Sequence, residues 1–207
     1  MREIRITALI CAICLLGVRA AAAEGCKSLQ NVGMEGLVSY LDQTVPNSGN
    51  AECVTFAIKT LGQHRYEPAV SALAKFLDFR RPPNDLEEGP VSLHRQVIEE
   101  QYPATNAMEE IEETSKSARS SAVPTAVLGV IGSASSSVTA RENAVVVWMD
   151  LHRYKSSRGV ASLRQEAIKA SDPAVRENLI WALSKAPARC SPNDKARCRA
   201  AAVMPKP

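Results

Sequence analysis

Apolar residues recur three and four positions apart along almost the whole chain, which is the spacing of one face of an α-helix. The pattern begins near Leu29 and continues to Ala186. Proline, glycine and asparagine interrupt it at intervals, at positions where one helix would end and the next would begin. The sequence therefore predicts an all-α protein of about eight to nine helices.

Several helix starts can be placed within this pattern. Ser137 and Asp172 each stand just before an apolar helical stretch, where a side-chain oxygen can accept the first free backbone N–H groups. Asn50 has the same position before an earlier helix. The stretch 122–131 is apolar on nearly every side, so we expect that helix to be buried between neighbours. The predicted helices are 28–45, 50–62, 68–77, 103–113, 122–131, 138–153, 159–170 and 173–186, with a further short helix over 91–101.

One three-residue phrase, Arg-Glu-Asn, occurs at 141–143 and again at 176–178, 35 residues later. An internal period of about 20–50 residues is typical of stacked helical repeats. Glu142 and Glu177 come early in their helices, where a negative charge suits the helix dipole. We expect the arginines to bridge to a neighbouring repeat. A structural role is therefore favoured over the alternative, a recognition surface repeated on successive units.

Other phrases resemble the HEAT-like repeat family. They are 57–62 followed by 69–73, the stretch 122–128, and the Asp-Pro-Ala-Val-Arg opening at 172–176. The last is similar to the variant named after phycobilisome lyases, although pigment attachment is not carried over to this chain. The resemblance covers most of 50–186.

The resemblance implies a short right-handed α-solenoid of helix hairpins, a scaffold generally used to bind other proteins. Its hairpins would be 51–78, 103–132 and 138–170, with 173–186 as the first half of a fourth. A single hairpin cannot bury its own apolar face, so stacked neighbours build the core and the ends need covers. The helix 28–45 would cover one end. The solenoid domain would span 24–190, and 191–207 would be a disulfide loop and a disordered tail.

The first 23 residues have the pattern of a cleaved signal peptide: Arg2 and Arg5, then a short apolar run, then four alanines. This predicts a secreted or periplasmic protein. An uncleaved membrane anchor is disfavoured because the apolar run is short. Lipidation of Cys26 is a minor alternative, because Glu24 stands where a lipidation signal has a small or apolar residue.

Charge argues against nucleic acid as a partner. Without residues 1–23 the chain has 22 basic and 21 acidic residues, a net charge of +1. Nucleic-acid binding would need a clustered basic face, which this balance does not indicate. Apart from the signal peptide, nothing in the sequence indicates a membrane segment.

Four cysteines follow the predicted leader: Cys26, Cys53, Cys190 and Cys198. An even number of cysteines in an exported protein implies disulfides, and four cysteines allow three pairings. Local pairing is favoured, Cys190 with Cys198 and Cys26 with Cys53. A metal site is disfavoured because the two pairs lie far apart in the sequence. A redox motif is excluded, since no Cys-x-x-Cys occurs after residue 23.

The segment 80–101 does not fit the repeat, and two interpretations of it stay open. Its prolines exclude a helix over the first ten residues or so, and long loops on rigid scaffolds often carry function. It is either a binding loop or a divergent connector between hairpins. As a binding loop it would contact a protein partner through Arg80, Arg81, Asp85, His94 and Arg95.

The sequence suggests no catalytic, cofactor or metal site. The histidines His64, His94 and His152 are isolated, without the His-Glu-x-x-His spacing of a zinc enzyme. The serines at 133–137 have no nucleophile-elbow motif and indicate a turn. Trp148 and Trp181 both fall within helices, where core packing is favoured over ligand binding.

The function that fits these observations is an exported, non-catalytic protein-binding or scaffold module. Two alternatives belong to other classes. One is an enzyme with its site at 80–101, which requires His94 or His64 to meet a carboxylate. The other is a disulfide-stapled helical inhibitor of an extracellular enzyme, which requires helices around one centre instead of a stacked row.

Overall fold

The computed structural model describes residues 26–81, 101–114, 122–152 and 156–205. Over these residues the chain contains nine α-helices joined by turns and short 3-10 helices, which confirms the predicted all-α class. The helices are α1 (Met34–Gln43), α2 (Ala51–Gln63), α3 (Val70–Ala74), α4 (Pro103–Thr114), α5 (Ala122–Gly132), α6 (Val138–Leu151), α7 (Ser157–Lys169), α8 (Pro173–Lys185) and α9 (Lys195–Ala201).

Two elements differ from the sequence prediction. The first helix is divided, because a 3-10 helix at Ser28–Asn31 is followed by extended backbone at Val32 and Gly33 before α1 begins. Part of 191–207 is helical, with a 3-10 helix at Pro192–Asp194 that leads into α9. The predicted short helix over 91–101 lies almost wholly outside the described residues.

The helices pack as two series of neighbours. In one series α2 contacts α4 and α4 contacts α6; in the other α3 contacts α5 and α5 contacts α8. Helix α1 packs on α2 and α3, at the start of both series. Helix α7 contacts α8 and α9 more extensively than it contacts α6, although the sequence paired it with α6. One continuous apolar core runs through the described residues from Leu37 to Cys198.

The most buried helix is α6, not α5. Small and medium apolar side chains lie on every side of α6, and Val145, Val146 and Val147 in succession are all buried. In α5 the buried side chains form a single stripe, whereas Thr125 and Gly129 are exposed. Helix α5 still lies between neighbours, as expected, since it contacts α3, α4, α6 and α8.

Two of the three expected helix caps are confirmed. The Ser137 hydroxyl accepts a hydrogen bond from the Ala140 N–H at 3.0 Å. The Asp172 carboxylate accepts bonds from two N–H groups of the first turn of α8, at 2.7 and 3.2 Å. Asn50 does not cap α2. Its side-chain oxygen instead accepts from the Asn47 N–H at 2.8 Å and closes the turn before the helix.

Helix α2 ends in a left-handed residue that is not glycine. Arg65 has φ 53°, and the bonds around it, Arg65 N–H to the Gly62 carbonyl and Tyr66 N–H to the Leu61 carbonyl, form a Schellman motif. Glycine is the usual residue at this position because it has no Cβ to clash with the backbone.

Replacing Arg65 with glycine is expected to stabilise the fold by up to about 1 kcal/mol, because the strain of a left-handed side chain is removed. Urea denaturation of Arg65→Gly and of the control Arg65→Ala would measure this effect. Alanine keeps the Cβ and should give no comparable gain. Equal stabilities for the two variants would contradict the strain argument.

Candidate functional site

The asparagines of the repeated phrase make the same contact twice. The Asn143 amide, which is buried, donates to the Leu77 carbonyl at 2.6 Å, just beyond α3. The Asn178 amide donates to the Gly132 carbonyl at 2.8 Å, at the end of α5. Carbonyls at helix ends have no partner within the helix and need one when they are buried. Each asparagine supplies that partner from a helix later in the chain, so its role is structural.

The two arginines of the phrase have different roles. Arg141 donates to the Asn178 side-chain oxygen at 2.9 Å, and it thereby joins α6 to α8 and one copy of the phrase to the other. Arg176 donates twice to the Ala170 carbonyl, at 3.1 and 2.8 Å, on the turn before its own helix. The expected bridge to a neighbouring unit is therefore present for Arg141, whereas the hydrogen bonds of Arg176 are local.

The glutamates of the phrase lie too far along their helices for the expected dipole effect. Glu142 and Glu177 are the fifth residues of α6 and α8, beyond the first turn. The helix dipole acts on charges within the first and last turns. Glu142 instead lies 4.0 Å from the Lys185 ammonium, a partly exposed pair of small energetic value.

The two tryptophans occupy different environments. Trp148 is buried, and its indole N–H donates to the Gly159 carbonyl at 3.0 Å, as expected of a core residue. Trp181 is only partly buried, with the Arg141 guanidinium 4.9 Å and the Lys185 ammonium 5.6 Å from its ring. Cations over an indole are attracted by its π face. A tryptophan with two cations at a partly exposed position was not anticipated from the sequence.

A small cleft of about 110 Å³ opens beside this tryptophan. It is lined by Glu142, Val145, Lys185, Ala188 and Arg189. Two of the five lining residues are cationic and one is anionic, so the cleft has an excess of positive charge.

The ends of the 80–101 segment are held together. The Arg81 N–H donates to the Gln101 carbonyl at 3.0 Å, so residues 81 and 101 lie side by side. Arg81 is buried at this junction, and Arg80 beside it is exposed. Asp85, His94 and Arg95, the other expected contact residues, lie outside the described residues.

A second cleft, of about 550 Å³, lies at this junction. Residues 46–48 and Ala51 form one wall, and residues 78–81 form the other. The Asp78 carboxylate is held by the Ser137 hydroxyl at 2.8 Å, which fixes it at the start of α6. The volume is in the range of ligand pockets, about 300–1,000 Å³. The cleft therefore brings Arg80 and Arg81 together with a turn that the sequence did not connect to them.

Near the end of α4, the carboxylate of Glu112 lies in an environment that disfavours its ionised form. Burial raises the pKa of Glu112 above its ordinary value of 4.5, and the nearby charge of Glu67 raises it further. One carboxylate oxygen of Glu112 is buried without a hydrogen-bond partner. A carboxyl group whose pKa is raised on folding favours the folded state when it is protonated and opposes it when it is ionised.

Replacing Glu112 with glutamine should therefore stabilise the protein at pH 7, since the charge is removed and the shape is kept. The stability of the natural chain should rise as the pH falls from neutrality towards the ordinary pKa of glutamate, and the advantage of Glu112→Gln should shrink over the same range. Thermal melts at pH 7 and near pH 4 would measure this. If Glu112→Gln were more stable than the natural chain by the same amount at both pH values, the effect assigned to the Glu112 charge would be contradicted.

The two histidines that the structure describes lie in different environments. His64 is exposed at the end of α2. The His152 ring lies 4.5 Å from the Trp148 ring and bonds through Nδ1 to the Trp148 carbonyl. Over the described ranges no three His, Cys, Asp or Glu side chains are placed to hold a metal ion. His94 lies outside the described residues.

Both cysteine pairs are at disulfide distance in the pairing that the sequence favoured, Cys26 with Cys53 and Cys190 with Cys198. Paired cysteines of this kind indicate an oxidising, extracellular-type environment. None of the described helices is both long enough and apolar enough to cross a membrane.

Comparisons with protein-family models, with curated proteins and with solved structures found no match to this chain. The function therefore has to be inferred from the residues and contacts of the chain itself.

Proposed function

We propose that this chain is an exported, non-catalytic protein-binding module built as a short right-handed solenoid of HEAT-like repeats. The observation that carries the proposal is the repeated asparagine contact. Asn143 and Asn178 occupy equal places in the repeated phrase, and each bonds the carbonyl at the end of an earlier helical segment. Equal phrases with equal contacts are what stacked repeats require. Scaffolds of this kind present a rigid surface to a partner.

We locate the partner-binding surface of this proposal at the 550 Å³ cleft, where the segment 80–101 begins. The cleft has an exposed arginine, Arg80, next to the buried aromatic ring of Phe79 and the polar turn at 46–48. Arginine and aromatic residues are enriched in protein interfaces. The segment 80–101, whose first two residues line this cleft, would adjust specificity.

Export is supported by the signal-like leader at 1–23 and by the two disulfides, which persist in oxidising compartments. Binding without catalysis is supported by the placement of the described histidines, of which His64 is exposed and His152 packs on Trp148. No cofactor is invoked.

The proposal can be tested with the mature chain and a variant in which 82–100 is replaced by a short Gly-Ser linker. Because Arg81 and Gln101 are already hydrogen-bonded, the linker should close without distorting the fold. A partner would be captured from an extract of the source, identified, purified and titrated directly against each variant. We expect tight binding by the natural chain and clear weakening for the shortened chain and for Arg80→Glu.

The control is Lys59→Glu, an equal charge reversal on an exposed position of α2. Unchanged binding by the shortened chain and by Arg80→Glu would show that this surface is not the binding surface. Failure of the natural chain to bind any partner directly would refute the proposed function.

The second candidate, a disulfide-stapled inhibitor of an extracellular enzyme, is favoured by the burial of α6. This helix is in contact with α4, α5, α7 and α8, as a central helix of a bundle would be. Inhibition of a purified secreted hydrolase by the natural chain at stoichiometric concentration would distinguish this function from scaffolding.

A further inference from the structure

Charge is distributed very unevenly along the chain. Residues 24–152 contain 10 basic and 17 acidic residues, whereas 153–207 contain 12 basic and 4 acidic residues. Helix α7 packs against both α8 and α9, so the basic residues that the structure describes in the second stretch lie on helices packed together. The net charge of +1 for residues 24–207 therefore conceals two regions of opposite sign, and the balance of charge over the whole chain did not indicate this basic region.

The C-terminal disulfide brings the backbone positions of two arginines of this basic end close together, Arg189 and Arg199. Arg189 precedes Cys190, and Arg197 and Arg199 flank Cys198. The Cα atoms of the two cysteines are 6.6 Å apart. Because neighbouring Cα atoms are about 3.8 Å apart, the Cα atoms of Arg189 and Arg199 are separated by at most about 14 Å. Both cysteines are buried, which fixes the backbone that carries these arginines.

These arginines are poorly neutralised by the protein itself. Arg197 lies 3.9 Å from Asp194, but its side chain is 83% exposed. Arg189 and Arg199 form no ion pair and no side-chain hydrogen bond with any part of the chain that the structure describes. Arg199 is exposed and Arg189 is partly exposed. Guanidinium groups bind carboxylates of another molecule well through paired N–H donors.

An aromatic side chain lies at the edge of this group. Lys185 is 5.6 Å from the Trp181 ring, and Lys185 and Arg189 line the same 110 Å³ cleft. Ile180, next to Trp181, is 41% exposed. Tryptophan and arginine are the residues that most often dominate protein–protein binding energy.

We propose that Trp181, Lys185, Arg189 and Arg199, which we term the arginine face, bind an acidic segment of a partner protein. The inference rests on the proposed protein-binding function, adds a second contact surface to the 550 Å³ cleft, and names the chemistry of the partner there. Carboxylates of that segment would bind the guanidinium groups, and an apolar side chain between them would pack on Trp181. Glu142 and Asp194 interrupt the positive charge. They would repel a uniformly anionic bilayer surface, whereas a protein segment can place its carboxylates between them.

The test uses the mature chain with both disulfides intact and a fluorescent glutamate-rich peptide that includes leucine and phenylalanine. Binding is followed by fluorescence anisotropy at low ionic strength, where charge interactions are least screened. We expect Arg189→Glu/Arg199→Glu to weaken binding at least about tenfold, since attraction is replaced by repulsion at two contacts. The control, Lys27→Glu/Lys59→Glu, makes the same change of net charge on exposed residues elsewhere, and it should bind as the natural chain does.

A second variant, Arg189→Lys/Arg199→Lys, keeps the charge and removes the paired donors, so its affinity should be intermediate. Equal weakening of binding by Arg189→Glu/Arg199→Glu and by the control Lys27→Glu/Lys59→Glu would overturn the proposal, because binding would then follow net charge alone. The proposal would also be overturned if the natural chain bound phosphatidylglycerol vesicles more tightly than the peptide and Arg189→Glu/Arg199→Glu abolished the vesicle binding. That result would indicate a membrane surface as the ligand.

The two proposals can fail separately. If the partner captured by the natural chain binds Arg189→Glu/Arg199→Glu with unchanged affinity, the arginine face is refuted and the protein-binding function stands. If no partner binds the natural chain directly, the protein-binding function is refuted, and the arginine face as a partner site with it.

Discussion

Replacing Asn143 with aspartate is expected to destabilise the protein by about 3–5 kcal/mol, the usual cost of an uncompensated buried charge. The Asn143 amide is buried and donates to the Leu77 carbonyl at 2.6 Å. Aspartate has nearly the same shape, but a carboxylate oxygen, which is an acceptor, would face the Leu77 carbonyl oxygen where the asparagine has its donor N–H. The hydrogen bond would be lost, and a negative charge would be buried beside a negative dipole.

The other copy of the phrase provides a matched control. Asn178 makes the same kind of contact, to the Gly132 carbonyl, but it is only partly buried and it accepts a bond from Arg141 at 2.9 Å. Asn178→Asp would lose the same type of hydrogen bond and gain an ion pair with Arg141, so it should be destabilised clearly less. Urea denaturation of both variants at pH 7 would measure the difference.

The stability of Asn143→Asp at lower pH tests the cost of the buried charge independently. Burial would raise the pKa of the new carboxyl at 143 above its unfolded value, so its destabilising effect is present at high pH and declines as the carboxyl becomes protonated. The stability gap between Asn143→Asp and the natural chain should therefore narrow towards pH 4. Equal losses for the two variants, or a gap that widens on acidification, would refute the structural role assigned to the phrase.

The repeat could be found in the sequence, but the function of its residues could not. The Arg-Glu-Asn period and the caps at Ser137 and Asp172 are local signals, and the structure bears out both caps. The carbonyls that the asparagines bind lie 66 and 46 residues earlier in the chain. Such contacts depend on which helices become neighbours, and hydrophobic spacing within one helix does not determine that.

The degree to which a helix is buried likewise could not be predicted from the sequence of that helix alone. The sequence of α5 is more uniformly apolar than that of α6, yet a larger share of the residues of α6 is buried. Apolar character shows that a helix can be buried, whereas its position among its neighbours decides whether it is. Likewise, the 550 Å³ cleft depends on the packing of α1 against α3, which brings the turn at 46–48 to residues 78–81.

The end of the chain was the least predictable region. A loop and tail were expected after Cys190, and the structure has α9 there. Helix α9 is only seven residues long, too short to be stable alone. Its support comes from packing on α7, from Cys198, and from the Asp194 carboxylate, which accepts the Ser157 N–H at 2.5 Å. These tertiary contacts have no counterpart in local periodicity.

The disulfides should be the largest covalent contribution to the free energy of unfolding, and the two disulfides should contribute different amounts. Loop-closure entropy predicts a loss of about 3.5 kcal/mol for Cys26→Ser/Cys53→Ser and about 2.5 kcal/mol for Cys190→Ser/Cys198→Ser. The difference arises because the first pair closes a loop of 27 residues and the second a loop of 8. For a chain of this size the first loss corresponds to a fall in Tm of roughly 10 °C.

Calorimetric melts of the two double variants, with the natural chain in oxidising and reducing buffer, would measure these losses. The reduced natural chain should melt below either double variant, because it has neither cross-link. A Cys26→Ser/Cys53→Ser variant as stable as the natural chain would show that the segment joining Cys26 to α2 is held by packing alone. The proposal that this end of a repeat stack is covered by the first helix would then have to rest on packing and not on the cross-link.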